Sequence, residues 1–472
     1  MNENKKFILS KEPFIRKADH SENTATMMLD FLIALSPLIL FAWIKNGLLP
    51  FIDGNTNFLG LIYPLLLVVL GGATSLLVEV FWYGVLIKDK PLKVRIMTSF
   101  PAIPGILLGM IVPLATPWWA IIIGALFATV IGKLIFGGFG QNVFNPALVG
   151  YIFLMIAYYS IITAGNGFLN PTEAVNAISS ATPMAIFAQD RVGSVNVLLE
   201  RYGLWKMFLG LTPGAVAETS SLLCLVALAY LLVRKTINWR IPVIYLATVF
   251  VLTYVIGAFN GFAGTLNYAL FNLFNGGLMF GAVFMATEPV TSPRNPNGKI
   301  IYALGLGVLT VLFRFGSIEG VAISILVMNM FTAIIEKLAA KLRVQPNKKK
   351  VVLTYAIIGL LFSGIGVYSV TSVLPKEIDN PDLTYTFVSA EQKLDTFYFE
   401  YKIKVGDDEV VVTTNNSYKI TAISNSTYNT DPYKAEIQKV INANKQEKAF
   451  LSVNETETAL ILKVRVRNEH GY

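Results

Sequence analysis

The feature that most restricts this chain is a succession of apolar runs about twenty residues long, recurring through all but roughly its last hundred positions. A run of that length matches the hydrocarbon core of a bilayer, about 30 Å. Eleven such spans are read, at about 25–45, 58–87, 96–115, 117–136, 144–164, 205–234, 241–258, 265–286, 300–315, 317–335 and 352–373. The second and sixth are long, and are expected to be tilted, or broken near Gly71-Gly72 and Pro213-Gly214. Only 14% of the 472 residues are charged, where a soluble chain carries about 25%. The fold class is therefore an all-α polytopic membrane protein. The 36 glycines and 31 phenylalanines suit a packed helical bundle.

The net charge of +8 is not a nucleic-acid signature, because the basic residues cluster at span ends. Lys5, Lys6, Lys11, Arg16 and Lys17 precede the first span, and Lys88, Lys90, Lys93 and Arg95 follow the second. Arg234, Lys235 and Arg240 follow the sixth, Arg294 and Lys299 the eighth, and "KLAAKLRVQPNKKK" the tenth. With eleven spans these all share one side, which the positive-inside rule makes cytoplasmic. The first thirty residues hold no short apolar stretch with a cleavage site, so no secretory signal is expected.

Residues 1–24 then form a cytoplasmic segment, 25–345 the main membrane domain and 346–373 an extra helix. Residues 374–472 change character. "FYFEYKIKV", "EVVVTT" and "ALILKVRVR" read as strands and "PYKAEIQKVINANKQ" as an amphipathic helix, giving a small α+β extracytoplasmic domain. There is also an internal repeat. Thr74 matches Thr219 at an offset of 145, Phe136 matches Phe280 at 144, and Pro146 matches Pro289 at 143, which suggests two repeated five-helix units. Duplicated halves often frame a central site.

No metal site is expected, since the only cysteine is Cys224 and the only histidines are His20 and His470. Redox work here would need an organic cofactor. Three stretches carry candidate chemistry. "GKLIFGGFGQNVFNPALVG" (132–150) offers Gly137 and Gly138 for close backbone approach and the amides of Asn142 and Asn145, although a tight helix connection explains it equally. It is not a phosphate-binding loop, because Lys133 precedes the glycines and is followed by Leu134. "GGLMFGAVFMATEPVTSPRNPNGK" (276–299) repeats the theme with Thr287 and Glu288, and reads equally as an interhelical turn. Glu79 lies well inside the second span, where a carboxylate usually marks a functional path, unless it only packs against Ser75 or a neighbouring helix. Asp30 and Glu218 lie nearer span ends and are expected to reach interfacial water. "SSATPMA" (179–185) sits in a polar gap between apolar stretches.

Together with "AETSSL" and "RFGSIEGVAISILVMN", these stretches resemble the RnfD/NqrB family of membrane oxidoreductase subunits, over roughly residues 20–345. The resemblance implies one component of an ion-translocating ferredoxin:NAD⁺ oxidoreductase in the inner membrane, with RnfA, RnfB, RnfC, RnfE and RnfG as partners. It implies FMN bound covalently through a phosphoester to Thr182, flanked by Ser179, Ser180 and Ala181, and a flavin transferase to attach it. Pro183 would bias Thr182 toward an extended conformation that presents its side chain. A second, non-covalent flavin is a further expectation, with Gly137, Gly138, Asn142, Asn145, Thr287 and Glu288 as its candidate loops and Glu79 as a candidate ion path. Two departures stand out: Asn176 replaces the acid usual six residues before the threonine, and ordinary RnfD chains lack the last hundred residues. Rival readings are a quinone-reducing NqrB role, a flavin-free transporter or channel, and a scaffold.

Overall fold

The computed structural model describes residues 24–88, 91–163, 194–259, 265–316, 320–344 and 348–373, and in a second unit 385–393, 398–405, 408–414, 418–424, 434–444, 448–453 and 462–467. The chain divides into Met1–Thr371 and Ser372–Tyr472. In the first unit the helices are α1 Thr24–Ile52, α2 Phe58–Ile87, α3 Leu92–Ile111, α4 Trp118–Leu134 and α5 Pro146–Ala157. They continue as α6 Ser194–Leu209, α7 Ser221–Val233, α8 Arg240–Phe259, α9 Thr265–Phe274, α10 (278–285), α11 Pro296–Gly316, α12 Gly320–Val344 and α13 Lys348–Val373. Among the described residues six helices (α1, α2, α3, α8, α11 and α12) are long and apolar enough to cross a bilayer, and the α9–α10 pair, bent by 66°, makes a seventh. The apolar helices α4, α5 and α7 are shorter, and within α13 the apolar segment is Leu353–Tyr368. Each of the eleven apolar runs thus contains helix, but six or seven crossings are what helix length supports.

Gly71 and Gly72 do not break α2. They let α3 approach closely: a Cβ on Gly105 would lie 1.9 Å from the Gly71 carbonyl oxygen, and one on Gly71 would lie 2.4 Å from that of Gly105. Small residues at a crossing are how membrane helices gain packing contacts where lipid offers no hydrophobic drive. The sixth run does break, between α6 and α7. Residues 210–220 are non-helical there, and the freed backbone groups find partners. Val216 N–H donates to the Val112 carbonyl (3.0 Å) and Ala217 N–H to that of Met110 (2.8 Å). Lys45 Nζ donates to the Thr212 carbonyl and Asn46 Nδ2 to that of Val216. Non-helical backbone survives at membrane depth only when satisfied in this way.

Four π-helical stretches interrupt these helices, at Ile44–Leu48, Trp82–Ile87, Val130–Leu134 and Gly281–Met285. The extra residue in each re-aims the side chains that follow. The repeat is also re-registered. Helix α5 begins at Asn145-Pro146 and α11 at Asn295-Pro296, each after a glycine- or proline-rich loop that follows a π-helical stretch. Phe136 is exposed in a turn, whereas Phe280 is buried in α10.

The second unit contains an antiparallel meander, β1 Tyr385–Lys393, β2 Tyr398–Val405, β3 Asp408–Thr414 and β4 Ile420–Ser424, in that order. Helix α14, Lys434–Ala443, places Ile437 and Ile441 on one face, and with Phe399, Tyr401, Ile403, Val410, Val412 and Tyr418 they form its core. Strands β5 Lys448–Val453 and β6 Leu462–Arg467 pair as an antiparallel hairpin.

Candidate functional site

The two loops singled out in the sequence meet. Helix α4 ends in its π-helical turn, and the glycines that follow close it. Gly138 N–H donates to the Lys133 carbonyl (3.1 Å) and Gly137 N–H to that of Leu134 (3.0 Å), the bonding pattern of a helix ended by a left-handed residue. Gly137 and Gly138 have φ of 110° and 93°, which explains glycine at both. Gly138 also lies beneath the Tyr83 hydroxyl, 2.3 Å from where a Cβ would stand. Asn145 then caps α5, its Oδ1 accepting from Leu148 N–H at 3.2 Å, with Pro146 in the first helical position.

From the facing loop, Glu288 accepts from Asn142 Nδ2 and from the Thr291 hydroxyl, each at 3.2 Å. Thr287 turns back to donate to the Val283 carbonyl. Between the loops is a small cavity of about 50 Å³, with Phe31, Phe100, Phe139 and Phe284 on its walls. The rings form two edge-to-face pairs, Phe31 with Phe284 (centroids 5.4 Å apart) and Phe100 with Phe139 (5.6 Å). Asn142, Asn145, Lys133 and Glu288 supply its polar wall. A wider cleft of about 390 Å³ adjoins it, sharing Met28, Phe139, Pro289 and Val290, and is lined by Thr287, Arg294 and Lys299.

Glu79 lies behind this wall. It is fully buried, and its carboxylate accepts from Lys133 Nζ (2.5 Å) and from the Ser99 hydroxyl. Lys133, 2% exposed, also donates to the Ser99 carbonyl at 2.7 Å. Of the two packing alternatives for Glu79, Ser75 or a neighbouring helix, the second is what forms, while Ser75 accepts from the Thr129 hydroxyl. Sequence reasoning misses Lys133, which enters it only as a residue that fails the phosphate-binding pattern. The available signal was a lysine inside an apolar run of a chain that also buries an acid. Asp30 corrects another expectation, because it does not reach interfacial water. It is 4% exposed and accepts from Arg234 Nε, the Tyr230 hydroxyl and the Thr236 hydroxyl. Glu218 lines a separate small cavity with Arg314, whose guanidinium donates to the Asn272 and Asn275 carbonyls at the end of α9.

Glu288 belongs to the loop after α10, outside the helical spans. Burial pushes its carboxyl up to about 7, against the opposing pull of Asn142, Thr291 and Lys133. Of the sequence-derived candidates, Asn142, Asn145 and Glu288 share the cavity, Thr287 the adjoining cleft, and Glu79 the ion pair behind it. Gly137 is exposed in its turn. Asn176, Ser179, Ser180, Ala181 and Thr182 lie outside the described residues.

A sequence model of the NQR2, RnfD, RnfE family matches residues 8–345. A component of the proton-translocating ferredoxin:NAD(+) oxidoreductase complex of Clostridium ljungdahlii is 35% identical, over 70% of this chain and 94% of that protein. A component of the Na(+)-translocating ferredoxin:NAD(+) oxidoreductase complex of Acetobacterium woodii is 33% identical, over 70% and 92%. A component of the Na(+)-translocating NADH-quinone reductase of Chromohalobacter salexigens is 34% identical, over 52% and 60%.

Proposed function

Since the chain belongs to the NQR2, RnfD, RnfE family, we propose that it is the RnfD-type membrane component of an Rnf-type ion-translocating ferredoxin:NAD⁺ oxidoreductase. The observation that carries this reading is coverage: the alignment spans 94% and 92% of the two ferredoxin:NAD(+) oxidoreductase components but 60% of the NADH-quinone reductase component. The chain passes electrons, and its partners RnfA, RnfB, RnfC, RnfE and RnfG carry the nicotinamide and iron–sulfur chemistry. The two ferredoxin-linked relatives are named for different ions, so resemblance leaves the coupling ion open.

Within that reading the membrane domain is two five-helix units and an added helix, crossing the inner membrane eleven times. Its amino terminus is cytoplasmic, and the Thr182 loop and residues 374–472 lie outside. FMN attached by a flavin transferase to Thr182 is the electron carrier. The tether keeps the flavin at high effective concentration beside its redox partners. A second, non-covalent flavin suits the aromatic cavity: four phenyl rings match a flat ring system, and Asn142 and Glu288 offer hydrogen-bond partners for its polar edge. When bound there, such a ring would supply one more electron-accepting centre.

The test is a denaturing gel of the chain co-expressed with a flavin transferase, viewed under ultraviolet light. A fluorescent band is expected, absent in Thr182→Ala. An equally bright Thr182→Ala band removes the covalent-flavin assignment, and a colourless, flavin-free wild type favours a transporter.

A further inference from the structure

The charges around the aromatic cavity do not cancel. Glu79 and Lys133 are in direct contact and buried, and as an ion pair they neutralise one another. That arrangement occupies the acid that the sequence marks as the ion path. Glu288 is left over. Its two oxygens accept from neutral donors, Asn142 Nδ2 and the Thr291 hydroxyl, and its carboxyl lines a cavity walled by four phenyl rings. The other groups facing it are Lys133 from α4, the Asn145 amide at the start of α5, and Tyr302 from α11, whose hydroxyl is engaged with Asn329.

A carboxylate in such surroundings is costly unless it gains a positive charge. A metal ion is a poor source of that charge. Hard cations gather several oxygen ligands, whereas here N–H and O–H donors point at the carboxylate. Among the described residues no three His, Cys, Asp or Glu side chains gather to hold an ion. A proton needs no such cage.

We propose that Glu288 is a proton-exchanging carboxyl of this protein, binding and releasing one proton at the cavity wall in front of the Glu79–Lys133 salt bridge. The adjoining cleft, lined by Arg294 and Lys299, shares Pro289 and Val290 with the cavity, and the proton would exchange with water through it. Burial already pushes this carboxyl to about 7, so both protonation states are accessible near neutral pH. The inference deepens the ion-coupling part of the proposed function and rests on that reading for its purpose. Its test needs no electron transfer, so its failure would leave flavin carriage standing, and loss of the flavin assignment would leave it untouched.

The test is an infrared titration of the full chain in lipid vesicles. In the wild type a protonated-carboxyl band is expected to disappear with a midpoint near 7, and Glu288→Gln is expected to remove that band. Glu79→Gln frees Lys133 to pair with Glu288, and should lower the midpoint by about one to three pH units. Asn142→Ala and Thr291→Val each delete a donor to the carboxylate and should raise it, which keeps the proposal open to refutation if Glu288→Gln does not fold. Replacing sodium with choline at equal ionic strength should leave the midpoint in place. The proposal is overturned if no carboxyl titrates near neutrality, if the band survives in Glu288→Gln, if neither Glu79→Gln nor the donor deletions move the midpoint, or if the midpoint follows sodium.

Discussion

Replacing Lys133 with methionine keeps an unbranched side chain, shorter by one atom, and removes its charge and donors. Glu79, fully buried, then loses its counter-ion. Breaking a buried pair from one side costs about 3–5 kcal/mol, because the remaining charge has neither water nor a partner. The Ser99 carbonyl also loses the ammonium that donates to it at 2.7 Å, adding about 1 kcal/mol. A total of about 4–6 kcal/mol is a large share of the roughly 5–15 kcal/mol that holds a folded protein together. Reversible unfolding of the full chain in mixed detergent should read this loss. Combining Lys133→Met with Glu79→Leu should recover stability to within about 1–2 kcal/mol of the wild type, since neither charge then remains and only Ser99 is left short of partners. If Lys133→Met costs under about 1 kcal/mol at every pH, or the double variant loses the sum of the two single losses, the two charges are not coupled and burial does not make them depend on one another.

Three further outcomes are expected. Gly138→Ala should destabilise the membrane domain by about 1–3 kcal/mol, because the new Cβ meets the Tyr83 hydroxyl at 2.3 Å and the residue keeps a φ of 93°; Tyr83→Phe should relieve only the contact, and thermal melts of the single and double variants measure both parts. Asp30→Ala should cost about 2 kcal/mol in the same melts, mainly by leaving the Tyr230 and Thr236 hydroxyls without their acceptor, and a melt unchanged from wild type would mean water replaces the carboxylate. Protease added to intact cells should remove residues 374–472 and spare the amino terminus, whereas cleavage confined to inverted vesicles would reverse the proposed sidedness.

The sequence by itself determined that this is a membrane protein with a separate α+β unit at its end. Hydrophobic run length and a charge content of 14% are properties of composition, and they do not depend on which side chains meet. It also marked the 132–150 loop of the cavity, because Gly137, Gly138, Asn145 and Pro146 are local signals of a helix stop and a helix start. Only the tertiary structure decided that Glu79 pairs with Lys133, 54 residues away, that Asp30 is held by Arg234 rather than by water, and that α6 and α7 part where residues 210–220 leave the helix. The reason is physical. A membrane helix is apolar all round, so its pattern does not reveal which face packs against which neighbour. The π-helical turn at Val130–Leu134 adds to this, since it shifts the register that brings Lys133 inward. Charge pairing between such helices is set by their packing, and that is written in contacts between distant segments.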